Sequence, residues 1–178
     1  MTTYVTRSPQ QDRPIGLQSS RAFVLTWLPA LIGLCVIAIE STGTFTASNT
    51  SRWLRPLWQS IFGALSDPAW EKTHHYIRKT GHFIGYGTLS LLFLRGWLRT
   101  LLRGAKETLY GFRLHAAALA ILCTFLTASV DEFHQTFIPG RTGLLRDVVL
   151  DTAGGLTAHL LFALIVWVPR RNTIGKSQ

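Results

Sequence analysis

The chain has 178 residues, of which 47% are hydrophobic and only 15% are charged, and its net charge is +9. The charged fraction lies below the roughly 25% that is usual for soluble domains. The basic residues stand at the ends of apolar runs and form no basic face interleaved with aromatic residues. This arrangement argues against a nucleic-acid partner and indicates a membrane protein whose spans are flanked by Lys and Arg.

Four apolar runs define the predicted elements. A bilayer core of about 30 Å needs roughly 20 helical residues, with a lower limit of about 17. All four runs reach that limit, so we predict an all-α bundle of four transmembrane helices. A soluble bundle with fully buried helices is the alternative, and it is less favoured because basic residues flank every run. The runs are residues 23–39, 82–98, 114–130 and 148–168.

The basic residues also predict the orientation of the bundle. Lys and Arg are dense between the second and third runs, and basic residues also precede the first run and follow the fourth, whereas segment 40–79 has five spread over forty positions and segment 131–147 has two. Because cytoplasmic segments carry the excess of basic residues, both termini are expected in the cytoplasm. Segments 40–79 and 131–147 are then expected outside the cytoplasm. Membrane lipids are the expected partners of the helices that adjoin them.

The remaining segments complete the predicted organisation. Residues 1–20 are polar and without periodicity, so we expect a disordered cytoplasmic tail. Residues 21–170 form one transmembrane domain, and residues 171–178 form a second cytoplasmic tail. Within the first outer loop, helix-spaced apolar residues predict an amphipathic helix at the membrane interface. An ordinary amphipathic helix that caps the bundle fits the same spacing. These residues are Leu54, Leu57, Trp58, Ile61, Phe62 and Leu65.

The second run begins with polar residues at helical spacing. Lys79, His82 and Tyr86 are three and four positions apart, so they lie on one helical stripe. Gly81 and Gly85 form a small-xxx-small pair, which permits close approach of another helix. A histidine at a helix end is often only solvated or capping. Near several carboxylates it becomes a candidate proton carrier, because its pKa lies close to neutrality.

The end of the third run carries further candidates. Asp131, Glu132 and Gln135 project from one helical turn if the helix continues past residue 130. Two adjacent acids could also merely end a membrane helix at the water boundary. Pro139 and Gly140 then predict a turn, since Pro fixes its own φ and Gly permits a positive φ.

The start of the fourth run adds two acids. Asp147 near a helix N-terminus is favoured by the helix dipole alone. Asp151 lies one turn deeper, where a charge is costly, so it must face the bundle interior and find a partner. Arg141, Lys79 and His82 are the nearest candidates. The predicted topology brings all these groups to one membrane face.

The motifs Lys79-xx-His82-xxx-Tyr86, Asp131-Glu132-xx-Gln135 and Pro139-Gly140-Arg141, with Asp147 and Gly154, resemble the VanZ-like family. The resemblance covers roughly residues 23–168 and departs at Asp151, where that family commonly has Asn. It implies a multi-pass protein of the bacterial cytoplasmic membrane, facing the cell envelope. It also implies an association with low-level resistance to teicoplanin-type glycopeptides.

Three functional hypotheses remain open, and the sequence indicates no particular cofactor. An enzyme acting on a lipid-linked or cell-envelope substrate would use His82, Asp131, Glu132 and Asp147 for catalysis. A divalent metal on Asp131, Glu132 and Asp147 is a weaker option. A non-catalytic binder would hold an anionic ligand, and a scaffold would use the charges only to set helix register. The candidate ligand-binding residues are Lys79, Tyr86, Gln135, Arg141 and Asp151.

Overall fold

A computed structural model describes the backbone of residues 15–102 and 109–174, and the side chains of residues 20–101 and 113–165. These residues form an all-α bundle without strands. The predicted tails, 1–20 and 171–178, fall largely outside the described residues. The helices are α1 (Ile15–Glu40), α2 (Ala47–Phe62), α3 (Asp67–Leu102), α4 (Leu109–Gln135) and α5 (Leu145–Ile174), with a 3-10 turn at Gly43–Phe45.

Three of these helices are long and apolar enough to cross a membrane, over Ser20–Glu40, Arg113–Gln135 and Leu145–Ile165. Their outer faces carry large exposed apolar side chains, for example Leu25 at 64% and Ile165 at 70% exposure. Water-soluble proteins rarely leave such surfaces uncovered, whereas a bilayer solvates them. The alternative of a soluble bundle with fully buried helices therefore does not fit this fold, and the chain is a membrane protein.

Helix α3 is not among the three candidate spans, although it contains the predicted second run. It contacts α1, α2, α4 and α5 and occupies the centre of the bundle. Tyr86, Leu89 and Ser90 are among the most completely buried residues of the chain. Because neighbouring helices cover α3, its side chains need less apolarity than lipid-facing ones, and polar residues are accommodated there.

The predicted outer loop 40–79 is mostly helical. Helix α3 begins at Asp67, fifteen positions before the apolar run, because Asp67 and Pro68 start a helix well and no breaker follows. Its 36 residues span about 54 Å, far more than a bilayer core. Helix α2 contains all the predicted amphipathic residues except Leu65, and it packs against this first part of α3. The amphipathic helix is thus present, and its position at the membrane interface stays a prediction.

Close approach of α3 and α5 depends on small residues. A methyl group at Gly154 would collide with the backbone of Phe83, and one at Gly87 would lie 3.1 Å from the Gly154 carbonyl oxygen. At Gly81, by contrast, no heavy atom lies within 4 Å of such a methyl group. The tight helix crossing is therefore at Gly87 and Gly154 and does not use the predicted Gly81 position.

The connection between α4 and α5 folds back onto α4. The amide of Arg141 donates to the Ile138 carbonyl at 3.1 Å, and Gly140 has a φ of 78°, so the predicted Pro-Gly turn is present. Gly143 lies so close to the Glu132 carbonyl that a side chain there would collide with it. This contact brings the N-terminus of α5 beside the last turn of α4.

Candidate functional site

A polar cavity of about 110 Å³ lies where the α4–α5 connection meets α3. The nine candidate residues from the sequence lie in or directly around it, contributed by α3, α4, α5 and the α4–α5 connection. Their placement shows one polar cluster at one end of the bundle. The roles assigned to them remain predictions. The cavity is lined by His75, Arg78, Lys79, His82, Glu132, Gln135, Gly140, Arg141, Thr142, Leu144, Arg146 and Asp147.

Asp131 is held in place by two hydrogen bonds. The Tyr86 hydroxyl donates to its Oδ2 across the α3–α4 interface at 2.9 Å, and the Gln135 amide donates to the same oxygen at 3.1 Å. Asp131 and Gln135 are four residues apart, so continuation of α4 to Gln135 places them together. Tyr86 is fully buried. This trio is therefore a satisfied network that ties α3 to α4.

Glu132 points into the α4–α5 connection. Its Oε2 accepts the backbone N–H of Leu144 at 2.9 Å, just before α5 begins. The side chain is 5% exposed and also lines the cavity. The second carboxylate oxygen is not used by this bond, so it remains available to a ligand or a proton.

Lys79 and Asp147 form an ion pair between α3 and α5. Their side chains are 26% and 11% exposed, respectively, so the pair lies at the edge of the cavity. Lys79 was one of three candidate partners for Asp151, but it pairs with the acid one turn earlier. Asp147 thus has a cationic partner in addition to the dipole at the start of α5.

His82 is the residue that faces Asp151. The His82 Nδ1 lies 3.7 Å from the Asp151 Oδ2, which exceeds hydrogen-bond range. Asp151 is fully buried, and neither of its carboxylate oxygens has a hydrogen-bond partner among the described residues. The His82 ring stacks on Tyr86, with centroids 6.3 Å apart. Buried carboxylates are almost always paired, so this arrangement requires a further explanation.

Arg141 fastens the α4–α5 connection to the end of α1. Its Nη2 donates to the carbonyl oxygens of Glu40, Thr42 and Phe45, at 2.6, 3.2 and 2.8 Å. Its Nε and Nη1 are buried without partners within the described part of the chain. Burial lowers the pKa of this guanidinium, with a smaller contribution from Arg78, but an Arg side chain stays protonated. Arg141 is therefore a structural contact that lines the cavity and also carries buried N–H donors without partners among the described residues.

Sequence reasoning did not identify three of the basic residues in the cavity. Arg78 is half-buried and makes no salt bridge with the described residues. Burial lowers its pKa, and Asp147 and Glu132 counteract that effect. His75 and Arg146 also line the cavity. His75, Arg78, Lys79 and His82 follow the i, i+3, i+4, i+7 spacing of one helix face, a signal that could have found the first two.

An apolar groove adjoins the polar cavity. This second opening, about 500 Å³, shares His75, Lys79, Arg146 and Asp147 with the cavity. It continues between α3 and α5 along Tyr76, Thr80, Phe83 and Leu150. The site therefore combines a polar cavity with an adjoining apolar groove between α3 and α5.

The residues that could hold a metal differ from the expected trio of Asp131, Glu132 and Asp147. Asp131 is occupied by Tyr86 and Gln135, and Asp147 is occupied by Lys79. Ligand atoms of His82, Glu132 and Asp151 instead lie within 4.8 Å of one another.

Comparison with known proteins gives one match. The family model described as VanZ/LLP1 matches residues 23–166, which include all nine candidate residues. No curated protein and no solved structure matches the chain.

Proposed function

Since the chain belongs to the VanZ/LLP1 family, whose model covers most of its length, we propose that it binds a lipid-linked anionic ligand of the cell envelope. The polar cavity would hold the anionic head group, and the adjoining groove between α3 and α5 would hold the lipid chain. The observation that carries this proposal is the continuity of the two openings, which share Lys79 and Asp147.

The size and charge of the cavity support an anionic head group. One water needs about 10–15 Å³ of such space, so about 110 Å³ accommodates a phosphate or a small sugar phosphate. Arg78, Lys79, Arg141 and Arg146 line it, against Glu132 and Asp147. Guanidinium groups bind phosphate oxygens bidentately, and Arg141 retains buried N–H donors for such oxygens.

The proposed topology has four spans, namely the three candidate spans and α3, and it places both termini in the cytoplasm. The site would then face outward from the cytoplasmic membrane, where envelope precursors are available. Basic residues at the end of α3 and near the start of α4, such as Arg99 and Arg113, support this orientation. Binding or processing of an envelope lipid would also account for an association with glycopeptide resistance, which remains part of the proposal.

A binding experiment tests the proposal. The purified protein in detergent is titrated with a polyprenyl phosphate, the matched polyprenol and inorganic phosphate. We expect the lipid phosphate to bind most tightly, because only it uses both cavity and groove. Arg78→Gln should weaken its binding, whereas Arg113→Gln, an exposed residue outside the site, serves as the control. Equal binding of phosphate and alcohol, or equal effects of the two variants, would contradict it.

Catalysis is a second candidate, because Glu132 and His82 both line the cavity and could transfer protons. The assay uses the corresponding polyprenyl diphosphate, which water would hydrolyse to the monophosphate and inorganic phosphate. Release of inorganic phosphate would establish turnover if Glu132→Gln and His82→Asn abolish it while binding is retained. Binding without release in the unchanged protein would leave a binder.

Orientation is tested with single cysteines in a background that lacks Cys35 and Cys123. Ser60→Cys and Phe137→Cys should react with a membrane-impermeant reagent added to intact cells, because both positions are exposed at the proposed outer face. Arg103→Cys should be protected until the cells are opened. The reverse pattern would invert the topology and place the site in the cytoplasm.

A further inference from the structure

We propose that His82, Glu132 and Asp151 form a binding site for a divalent transition-metal ion of the Zn²⁺ class. These three side chains come from α3, α4 and α5, and their ligand atoms lie within 4.8 Å of one another. The site shares only Glu132 with the Asp131–Glu132–Asp147 set expected from sequence. It goes beyond the proposed lipid binding and does not depend on it.

Asp151 provides the strongest argument. It is fully buried, and neither of its oxygens has a hydrogen-bond partner within the described residues. An uncompensated buried carboxylate is strongly unfavourable, so it requires a cation. His82 is the nearest positively chargeable group, and its Nδ1 is 3.7 Å from the Asp151 Oδ2.

The distance favours a bridging metal over a direct ion pair. A protonated imidazole and a carboxylate approach to about 2.7–2.9 Å when they form a charge-assisted hydrogen bond. Two ligands on a tetrahedral ion with bonds of about 2.0–2.1 Å lie about 3.4 Å apart. The observed 3.7 Å is near that value.

Glu132 supplies the third ligand in an oriented form. Its Oε2 is fixed by the Leu144 N–H at 2.9 Å, and such second bonds position metal-binding carboxylates. Because Glu132 and His82 also line the cavity, further coordination positions would open to it. One imidazole with two carboxylates suits Zn²⁺ better than Mg²⁺ or Ca²⁺, which prefer oxygen ligands only.

Isothermal titration tests the site on the full-length protein, purified without a polyhistidine tag and treated with chelator. We expect one Zn²⁺ per chain, with Mg²⁺ at equal concentration binding far more weakly. Asp151→Asn, His82→Gln and Glu132→Gln should each weaken Zn²⁺ binding at least about tenfold, since changes in outer-shell partners alone reach that size. Added Zn²⁺ should also raise the unfolding temperature of the unchanged protein, but it should not raise that of these variants.

His159→Gln is the matched control, because His159 lies on α5 but contacts Ser90, at 3.1 Å. It should bind Zn²⁺ like the unchanged protein. Each variant is first checked for monodispersity, and Glu132→Gln carries the test if Asp151→Asn does not fold. Zn²⁺ binding that is absent, or that is unaffected by His82→Gln and Glu132→Gln, would overturn the site. Absent Zn²⁺ binding together with lipid-phosphate binding that persists in chelator would reject the metal site while leaving the proposed function intact.

Discussion

The hydroxyl of Tyr86 donates a 2.9 Å hydrogen bond to Asp131, and this bond joins the central helix α3 to the last turns of α4. Tyr86 is fully buried, and Asp131 is 8% exposed. The bond links two residues that are 45 positions apart in the chain. The bond therefore supports the site by holding α3 and α4 together, and the adjoining cavity remains open to a ligand.

Removal of that hydroxyl should destabilise the bundle. Tyr86→Phe leaves Asp131 with Gln135 as its only hydrogen-bond donor among the contacts described. Loss of a buried bond to a charged group within a membrane bundle is expected to reduce the free energy of unfolding by about 1–2 kcal/mol. Denaturant unfolding in detergent measures it. Tyr76→Phe, at a residue that is 60% exposed, is the control and should have little effect; equal effects would contradict the role of the bond.

The pair formed by Lys79 and Asp147 allows a test of the scaffold hypothesis. Asp147→Leu or Lys79→Met alone leaves one charge without its partner and should destabilise the protein by about 3 kcal/mol or less, given partial exposure. The double change should recover most of that stability, because no unpaired charge remains. Recovered stability together with lost lipid-phosphate binding would show that the pair serves the ligand. Retained binding in the double variant would instead assign it a structural role.

Arg141 should stabilise the conformation of the α1–α2 connection, residues 41–46. Arg141→Gln removes the three bonds from Nη2 to the carbonyls of Glu40, Thr42 and Phe45. Hydrogen exchange of the amides between residues 41 and 46 is expected to rise about tenfold, which corresponds to about 1.4 kcal/mol of local stability. Arg146→Gln, at the same cavity, should leave this exchange unchanged. An equal rise in both variants would show a general electrostatic effect.

His74 should make the docking of α2 on α3 sensitive to pH. Its Nε2 lies 3.0 Å from the Thr50 hydroxyl, which itself donates to the Thr46 carbonyl, so the imidazole is the donor. The ring stacks on Trp70, with centroids 5.3 Å apart. Burial, with a smaller contribution from Arg78, lowers the pKa of His74 below its ordinary value of 6.5.

The sign of the pH effect follows from that lowered pKa. Above pH 6.5 the imidazole is neutral in both the docked and the undocked state, so the full stability is present. As the pH falls below 6.5, the undocked form binds protons first, and docking weakens until the lower pKa of the docked form is passed. The protection of the α2 amides against hydrogen exchange, measured relative to unprotected amides at the same pH, should thus decrease as the pH falls from 7.5 to 5.5. This decrease should be lost in His74→Gln and kept in His75→Gln; a profile unchanged by His74→Gln would contradict the assignment.

The α3–α5 crossing should tolerate no side chain at Gly154. A methyl group there meets the Phe83 backbone, which cannot move as a flexible side chain would. Gly154→Ala should therefore cost about 2 kcal/mol or more and reduce the amount of folded protein in membranes. Gly81→Ala is the matched control, because space is open there and Ala favours helix by up to about 1 kcal/mol. Comparable membrane levels of the two variants would contradict the tight crossing.

Local sequence was enough to predict the class of protein and nine of the polar residues in or around the cavity, but not His75, Arg78 or Arg146. Apolar runs and flanking basic residues depend on local composition alone, and membrane-like helices are found over Ser20–Glu40, Arg113–Gln135 and Leu145–Ile165. The turn at Pro139 and Gly140 and the continuation of α4 to Gln135 are also local properties. They were therefore predictable from neighbouring residues.

The pairing of the charges depends on contacts between distant segments of the chain. Lys79, His82 and Arg141 were equivalent candidates for Asp151, since spacing along a helix cannot fix the rotation of one helix against another. That rotation depends on the packing of Gly87 against Gly154, and it directs Lys79 to Asp147 and His82 to Asp151. The same packing brings Arg78 to the cavity and leaves Asp151 without a hydrogen-bond partner among the described residues. Such contacts between distant segments have no signature in a single sequence.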